Sequence, residues 1–247
     1  MSKLNWEVKL GIFLIAVTCT IYSAKFIILQ NPQDTVNYIF NSMGFLPINV
    51  LLVTIVLNKL LAIRSKREKF EKLNMVIGTF FSEAGNHLIK DISQNDPNLE
   101  NIKNELIISN EWNDEDFEKV RKKLSSHDYD VNIDKIEIEA LNGFLFSKRE
   151  FLLRLLENPV LLEHESFTEL LRAIFHLAEE LKCRDDLSCL PKSDYMHLQG
   201  DIKRVYGTLI FQWLDYMKHL NKHYPYLFSL EMRTNPFDLN SSPVVEK

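Results

Sequence analysis

Apolar residues are distributed unevenly along the chain, and the change of pattern falls near residue 64. Before that point they run almost unbroken. Leu10 to Leu29 supplies the roughly 20 residues a helix needs to cross a bilayer, and a second run spans about Ile39 to Ile63. Beyond it, apolar residues recur at steps of three and four, the period of a helix with one buried face, and no stretch sustains an alternation of two. The two regimes meet in Phe45 to Leu88. There the apolar run passes through Lys59, Arg64, Lys66, Arg67, Lys69 and Lys72 into a segment with Leu73, Ile77, Phe80, Ala84 and Leu88 on one face. The pattern predicts an all-α protein. Residues 1–64 form an N-terminal two-helix transmembrane hairpin, with helices at about 10–29 and 39–63. The hairpin continues into a cytoplasmic multi-helix domain over 65–235, and a flexible C-terminal tail occupies 236–247.

Local signals place the helices of the domain. Asp96-Pro97 opens a short helix to about Ile108, with proline in its first turn. Asn113 followed by Asp114, Glu115 and Asp116 puts a cap and acids at the positive end of a helix that finishes near Ser125. A longer helix is expected from Ile133 to Asn158, burying Leu141, Phe144, Leu145, Phe151, Leu152 and Leu155. Ser166 and Glu169 have capping-box spacing and predict a helix from Phe167 to about Lys182. The last long helix runs from Asp194 to about His223. It carries Ile202, Val205, Tyr206, Leu209, Ile210, Trp213, Met217 and Leu220, and Pro225 ends or kinks it. A short helix from Tyr226 to Arg233 follows.

Charge orients the hairpin. Residues 59–72 hold six basic and two acidic residues, whereas residues 93–247 hold 19 basic and 28 acidic ones. Lys and Arg flanking membrane helices mark the cytoplasmic side. Lys3 and Lys9 before the first helix and the basic collar after the second therefore put both termini in the cytoplasm, with the turn at 30–38 outside. Arg64, Lys66, Arg67, Lys69 and Lys72 face the membrane surface, where anionic headgroups attract each basic residue by about 1 kcal/mol. The expected partners are the lipid bilayer, those headgroups, and a protein partner or second copy. An acidic domain is a poor nucleic-acid binder, and none is expected. Cys19, Cys183 and Cys189 do not make a disulfide framework and read as reduced thiols.

Chemistry is sparse. The sequence lacks HExxH, a P-loop, GxGxxG and GxSxG, so no catalytic residue and no cofactor is assigned. Glu163, His164 and Glu165 precede the Ser166 cap and are explained by the helix dipole. Histidine and carboxylate pairs do occur four residues apart: Glu83 with His87, His176 with Glu180, and Asp215 with His219 and then His223. Residues at that spacing share a helix face, so Asp215, His219, His223, His176 and Glu180 are candidate metal ligands. Trp213, Tyr216, Tyr224, Tyr226 and Arg233 form an aromatic-basic group of the kind that anchors protein interfaces.

The phrases FLPINVLLVTIVLNKLLAIRSKREKFEKLNMVIGTFFSEAG, REFLLRLLENPVLLEHESFTELL, DIKRVYGTLIFQWLDYMKHL and YPYLFSLEMRTNPFD resemble those of an uncharacterised family of prokaryotic integral membrane proteins. That family has two N-terminal helices and a helical cytoplasmic region. The resemblance implies the cytoplasmic membrane as location and carries over no activity and no site. The leading expectation is a membrane-anchored interaction or regulatory protein. The alternatives are a membrane-tethered metal-dependent enzyme and an oligomeric pore or transporter subunit.

Overall fold

The computed structural model describes residues 6–29, 32–162 and 164–245, and every regular element among them is helical. Lys3 and Glu163, both named above, lie outside the described residues. The chain divides into two compact units, one ending at Lys66 and one beginning at Arg67.

The first unit holds α1 (Trp6–Leu29) and the start of α2 (Pro32–Phe80). The turn expected at 30–38 is helical from Pro32 onward. Proline at a first helical position loses no hydrogen bond, and Asp34 sits in the positive first turn. The helix also continues through Pro47. On α1, Tyr22 and Lys25 meet the second helix at one ring: the Tyr22 and Tyr38 centroids are 6.4 Å apart, and Lys25 Nζ lies 4.5 Å from the Tyr38 centroid. The threonines look inward on their own helices, as Thr18 Oγ1 donates to Leu14 O and Thr54 Oγ1 to Val50 O. Both helices contain windows long and apolar enough to cross a membrane, and none of either window is buried.

The second unit is built around α10 (Lys192–His223). All eight apolar residues expected on its inner face, from Ile202 to Leu220, are buried. α9 (Glu165–Lys182), α3 (Asn86–Ser93), α5 (Asp114–Ser126) and α11 (Pro225–Arg233) pack against it. The end of α2 supplies Leu73, Ile77 and Phe80 to the same core, where Phe80 meets the Phe167 ring edge-on at 5.2 Å. From Phe80 the chain buries neighbouring residues in pairs: Phe80 with Phe81, Ala84 with Gly85, Leu88 with Ile89, and Ile92 with Ser93. A repeat of four drifts about 120° over three repeats on a helix of 3.6 residues per turn. The π turn Phe81–Gly85 widens the helix by one residue and keeps these pairs on one face. Gly85 is required there by space: a Cβ would lie 2.5 Å from the Phe81 ring and 2.9 Å from the Phe80 ring.

Several elements depart from the expected bounds. The helix from Asp96 to Ile108 resolves into a 3₁₀ turn, Leu99–Asn101, and the single turn α4 (Lys103–Leu106), because Asp96 Oδ1 accepts from Asn98 N and folds the start into an Asx turn. The segment 133–158 is broken into a 3₁₀ turn, Ile133–Lys135, then α6 (Ile138–Ser147) and α7 (Arg149–Leu156). Lys148, at φ −95° and ψ 1°, leaves the helical region between α6 and α7, and its Nζ reaches Glu83 at 2.8 Å. Leu141, Leu145, Leu152 and Leu155 are buried on both sides of the break, while Phe144 and Phe151 are half-buried. A short α8 (Pro159–Leu162) leads into α9, which begins two residues before its expected start. Its cap is His164, whose Nδ1 accepts from Phe167 N, in place of Ser166. Asn113 caps α5 in a reciprocal box with Asp116.

The expected tail is tied down at its beginning. Phe237 is buried against Trp213, with ring centroids 5.0 Å apart, and Asn235 Nδ2 donates to Leu106 O at 2.8 Å. Thermal unfolding followed by circular dichroism tests the packing at the π turn. Gly85→Ala is expected to cost about 1–3 kcal/mol through overpacking. Gly143→Ala, where a Cβ meets nothing within 4 Å, is expected to be neutral or to gain up to about 1 kcal/mol of helix propensity.

Candidate functional site

Two places on the second unit gather polar chemistry. The first is a cleft of about 510 Å³ walled by the end of α2, the π turn, α10 and α11. Its walls are mostly apolar, with Met75, Gly78, Tyr216, Tyr224, Tyr226 and Leu230 among them. Tyr216 is fixed at the back: it is buried and stacked on Phe81 at 5.1 Å, with the ring planes 13° apart. Met75 and Tyr226 stand at the mouth, 71% and 72% exposed.

The polar groups of the cleft are held away from their ordinary charged forms. His219 stacks on His223 at 4.6 Å and packs against Phe70 and Tyr224, and its Nε2 is buried without a hydrogen bond. Burial and the neighbouring His223 bring the His219 imidazole down from 6.5 to about 4, against a smaller opposing pull from Glu71. Burial pushes the Glu231 carboxyl up, while the Asn86 Nδ2 hydrogen bond to Glu231 Oε2 at 2.9 Å opposes it. A dry wall therefore favours neutral side chains on both sides of charge.

The second place lies on the hairpin of α9 and α10. His176 Nε2 sits 3.8 Å from Glu180 Oε1 and 3.5 Å from Asp201 Oδ2, and His197 Nε2 sits 3.6 Å from Glu180 Oε2 and 3.5 Å from the same Asp201 oxygen. Asp201 is only 4% exposed on its side chain, while the two histidines are half exposed. Two arginines hold the outer sides of the carboxylates. Arg204 Nη1 donates to Asp201 Oδ1 at 2.9 Å, and Arg184 Nη1 to Glu180 Oε2 at 2.9 Å. Arg184 also grips Asp194 with two bonds of 2.7 Å, and its N–H groups hold the Glu180 and Asp194 carboxyls below the usual range.

The residues expected from sequence thus part company. His176 and Glu180 come together with two residues not singled out by sequence, His197 and Asp201. The signal was available: HLQGD repeats the four-residue spacing of His176 and Glu180. The stripe Asp215, His219, His223 does not converge. Asp215 accepts from Arg121 of α5, His219 lines the cleft, and His223 Nδ1 contacts His219 O at 3.2 Å. Of the aromatic-basic group, Tyr216, Tyr224 and Tyr226 share the cleft. Trp213 is fully buried under Phe237, and Arg233 binds Ser229 O and Pro243 O. The collar residues Arg64, Lys66, Arg67, Lys69 and Lys72 are exposed, and Arg67 Nε donates to Glu71 at 3.1 Å. The three cysteines are free thiols on exposed residues.

Sequence also gave no hint of a buried network behind α10. Asp96 Oδ2, His127 Nε2 and the Tyr206 hydroxyl are all buried, and the Asp96 and His127 atoms are 3.6 Å apart. Burial and the Asp96 carboxylate raise the Tyr206 phenol far above its ordinary value. The three atoms are sealed from solvent without a hydrogen-bond partner, and the close approach of Asp96 and His127 brings the segment after α3 to the end of α5.

These features define an all-helical protein in which two apolar N-terminal helices precede a helical domain assembled on one long central helix. The chain belongs to the MJ1433 family. The family model described as "MJ1433, N-terminal helical domain" matches residues 2–61, and that described as "Uncharacterized protein MJ1433, C-terminal helical domain" matches residues 69–233. Uncharacterized protein MJ1433 of Methanocaldococcus jannaschii is 47% identical over 247 residues, covering 100% of this chain and 99% of the relative. No solved structure matches the chain. The expected resemblance to an uncharacterised family with helical N- and C-terminal regions is borne out, both matching descriptions being of helical domains.

The His219 environment makes a pH prediction. In the window from about 4 to 6.5 the unfolded chain holds the imidazole proton and the folded chain does not. The contribution of His219 to stability is therefore full above that window and is lost as pH falls through it. Imidazole NMR should place the His219 midpoint near 4. His219→Gln should flatten the pH dependence of the urea midpoint between about 4 and 6.5 relative to the parent.

Proposed function

We propose that this protein is anchored in the cell membrane by α1 and the first part of α2, with both termini and the second unit in the cytoplasm. There it serves as an interaction or regulatory module without evident catalysis. The observation that carries the anchor is the uncovered apolar surface of the first unit. Twenty-eight large apolar side chains between Leu10 and Ile63 are exposed. At about 1.5 kcal/mol each, removing even half of that surface from water is worth about 20 kcal/mol, more than a typical domain's whole stability. Such a surface calls for a covering phase. Two helices with apolar windows of mean hydropathy 1.9 and 2.1 suit a bilayer. The basic collar from Lys59 to Lys72 supports the orientation.

The module reading is supported by the cleft. Its fixed aromatic floor and exposed rim of Met75, Tyr226 and Leu230 have the make-up of an interface core. Its occupant in this proposal is an apolar side-chain cluster of a partner protein.

Membrane fractions washed at alkaline pH should retain the full chain, and recovery in the soluble fraction would overturn the anchor. In a cysteine-free background, Gln33→Cys should react with an impermeant maleimide added to intact cells, while Val244→Cys reacts only after lysis. The reverse labelling pattern rejects the orientation. For the cleft, cross-linking in native membranes should recover a specific partner, and Tyr226→Asp with Leu230→Asp should reduce that yield at least about tenfold, a loss of 1.4 kcal/mol or more. Absence of both partner and self-association refutes the module.

A further inference from the structure

The cleft between the end of α2, α10 and α11 carries charge of one sign. Glu83 and Glu231 line it, and no lysine or arginine is among the residues that wall it. The two carboxyls differ. Glu83 is 52% exposed on its side chain and is taken by Lys148 Nζ at 2.8 Å. Glu231 is half-buried, and its one hydrogen bond among the described residues comes from a neutral group, Asn86 Nδ2, to Oε2. Burial and that amide act on the Glu231 carboxyl, and no basic side chain of the protein does. Both oxygens of a carboxylate accept, so Oε1 is left for whatever enters the cleft.

Aromatic surface lies beside that carboxylate. Burial, and after it the charge on Glu231, raises the Tyr216 phenol, so the hydroxyl and the carboxylate lie near one another. Gly78 keeps the space over the hydroxyl open, since a Cβ there would stand 3.1 Å from it. Tyr224 and Tyr226 add two more rings to the same walls. His219, brought down to about 4, is uncharged near neutral pH and repels no cation.

We propose that the cleft receives a basic side chain of the partner protein, a lysine or arginine whose apolar stem lies along the tyrosine walls and whose charged end meets Glu231. The inference rests on the reading of the cleft as a partner-binding site and is independent of the membrane anchor. A long basic side chain suits such walls because its stem is apolar and its head is charged, and the faces of aromatic rings attract cations. A carboxylate set in a dry wall without a cation is costly, and a charge-assisted hydrogen bond from the partner offsets that cost. The same carboxylate turns away an acidic segment, so Glu231 selects as well as binds. At about 510 Å³ the cleft has room beyond one basic side chain for apolar neighbours of the same segment, which would rest on Met75 and Leu230.

The test uses the full chain purified in detergent with ring-labelled tyrosine, and NMR near neutral pH follows the signals of Tyr216, Tyr224 and Tyr226. Three probes share a butyl tail: n-butylammonium, n-butanol and pentanoate. Butylammonium should bind at least about tenfold more tightly than butanol, and pentanoate more weakly than either. Glu231→Gln keeps the side-chain length and an acceptor for Asn86. It should erase the preference for butylammonium, leave butanol binding as it was, and hold or raise the unfolding temperature. In native membranes the same substitution should cut the yield of cross-linked partner at least about tenfold. Equal binding of butanol and butylammonium, or a preference that survives Glu231→Gln, overturns the proposal and leaves the cleft with a purely apolar occupant. A preference for pentanoate overturns it too, as do cross-links that join two copies of the chain at the cleft. Failure of butylammonium to bind overturns it whatever partner is recovered. If no probe binds and no partner is recovered, the reading of the cleft as a partner site falls as well.

Discussion

The second unit depends on the burial of one helix face. α10 is 32 residues long and buries residues along most of its length, from Leu198 to Leu220. A helix buried on more than a narrow stripe needs neighbours on several sides, and α3, α5, α9 and α11 are those neighbours. The polar features follow from the same constraint. The cleft opens where α10 and α11 part against the end of α2, and the histidine-carboxylate patch forms where α9 returns along α10. Asp96, His127 and Tyr206 are sealed because they sit behind the same helix. The chemistry is arranged by what α10 must cover.

The sequence made the burial pattern legible wherever a helix keeps one face turned inward for several turns. Ile202 through Leu220 and Leu73 through Leu88 are of this kind. Breaks were less visible when they preserved phase. Leu141, Leu145, Leu152 and Leu155 continue a helical rhythm across Lys148, so the interruption between α6 and α7 leaves no trace in the apolar pattern. The cap of α9 was displaced because an imidazole nitrogen took the role assigned to a hydroxyl. The first residues of the tail are ordered because Phe237 completes the cover over Trp213, a contact 24 residues distant in sequence.

The candidate sites divide along a similar line. Periodicity finds pairs on one helix, and it found His176 with Glu180. It does not say which pair faces another, and that depends on the hairpin. Asp215 and His219 have equally good spacing, yet one is taken by Arg121 and the other by the aromatic wall. Tyr216 and Trp213 lie three residues apart on α10, and only Tyr216 reaches the cleft because Phe237 covers the indole.

The π turn Phe81–Gly85 has a consequence for changes of chain length. It holds one residue more than the α-helix needs, so deleting a residue there would let ordinary helical bonding resume. Each residue of an α-helix turns the chain by about 100°. The deletion would therefore leave Leu88, Ile89 and Ile92 facing the core, whereas a residue added or lost elsewhere in the helix, with no wide turn to absorb it, would swing them away and bring polar neighbours such as Lys90 and Asp91 toward it. An insertion in the exposed surface loops would disturb no such register. Among related chains, length variation is expected to collect in those loops, and within this helix only at the wide turn, the one place where a residue can be lost while everything that follows in α3 keeps its facing.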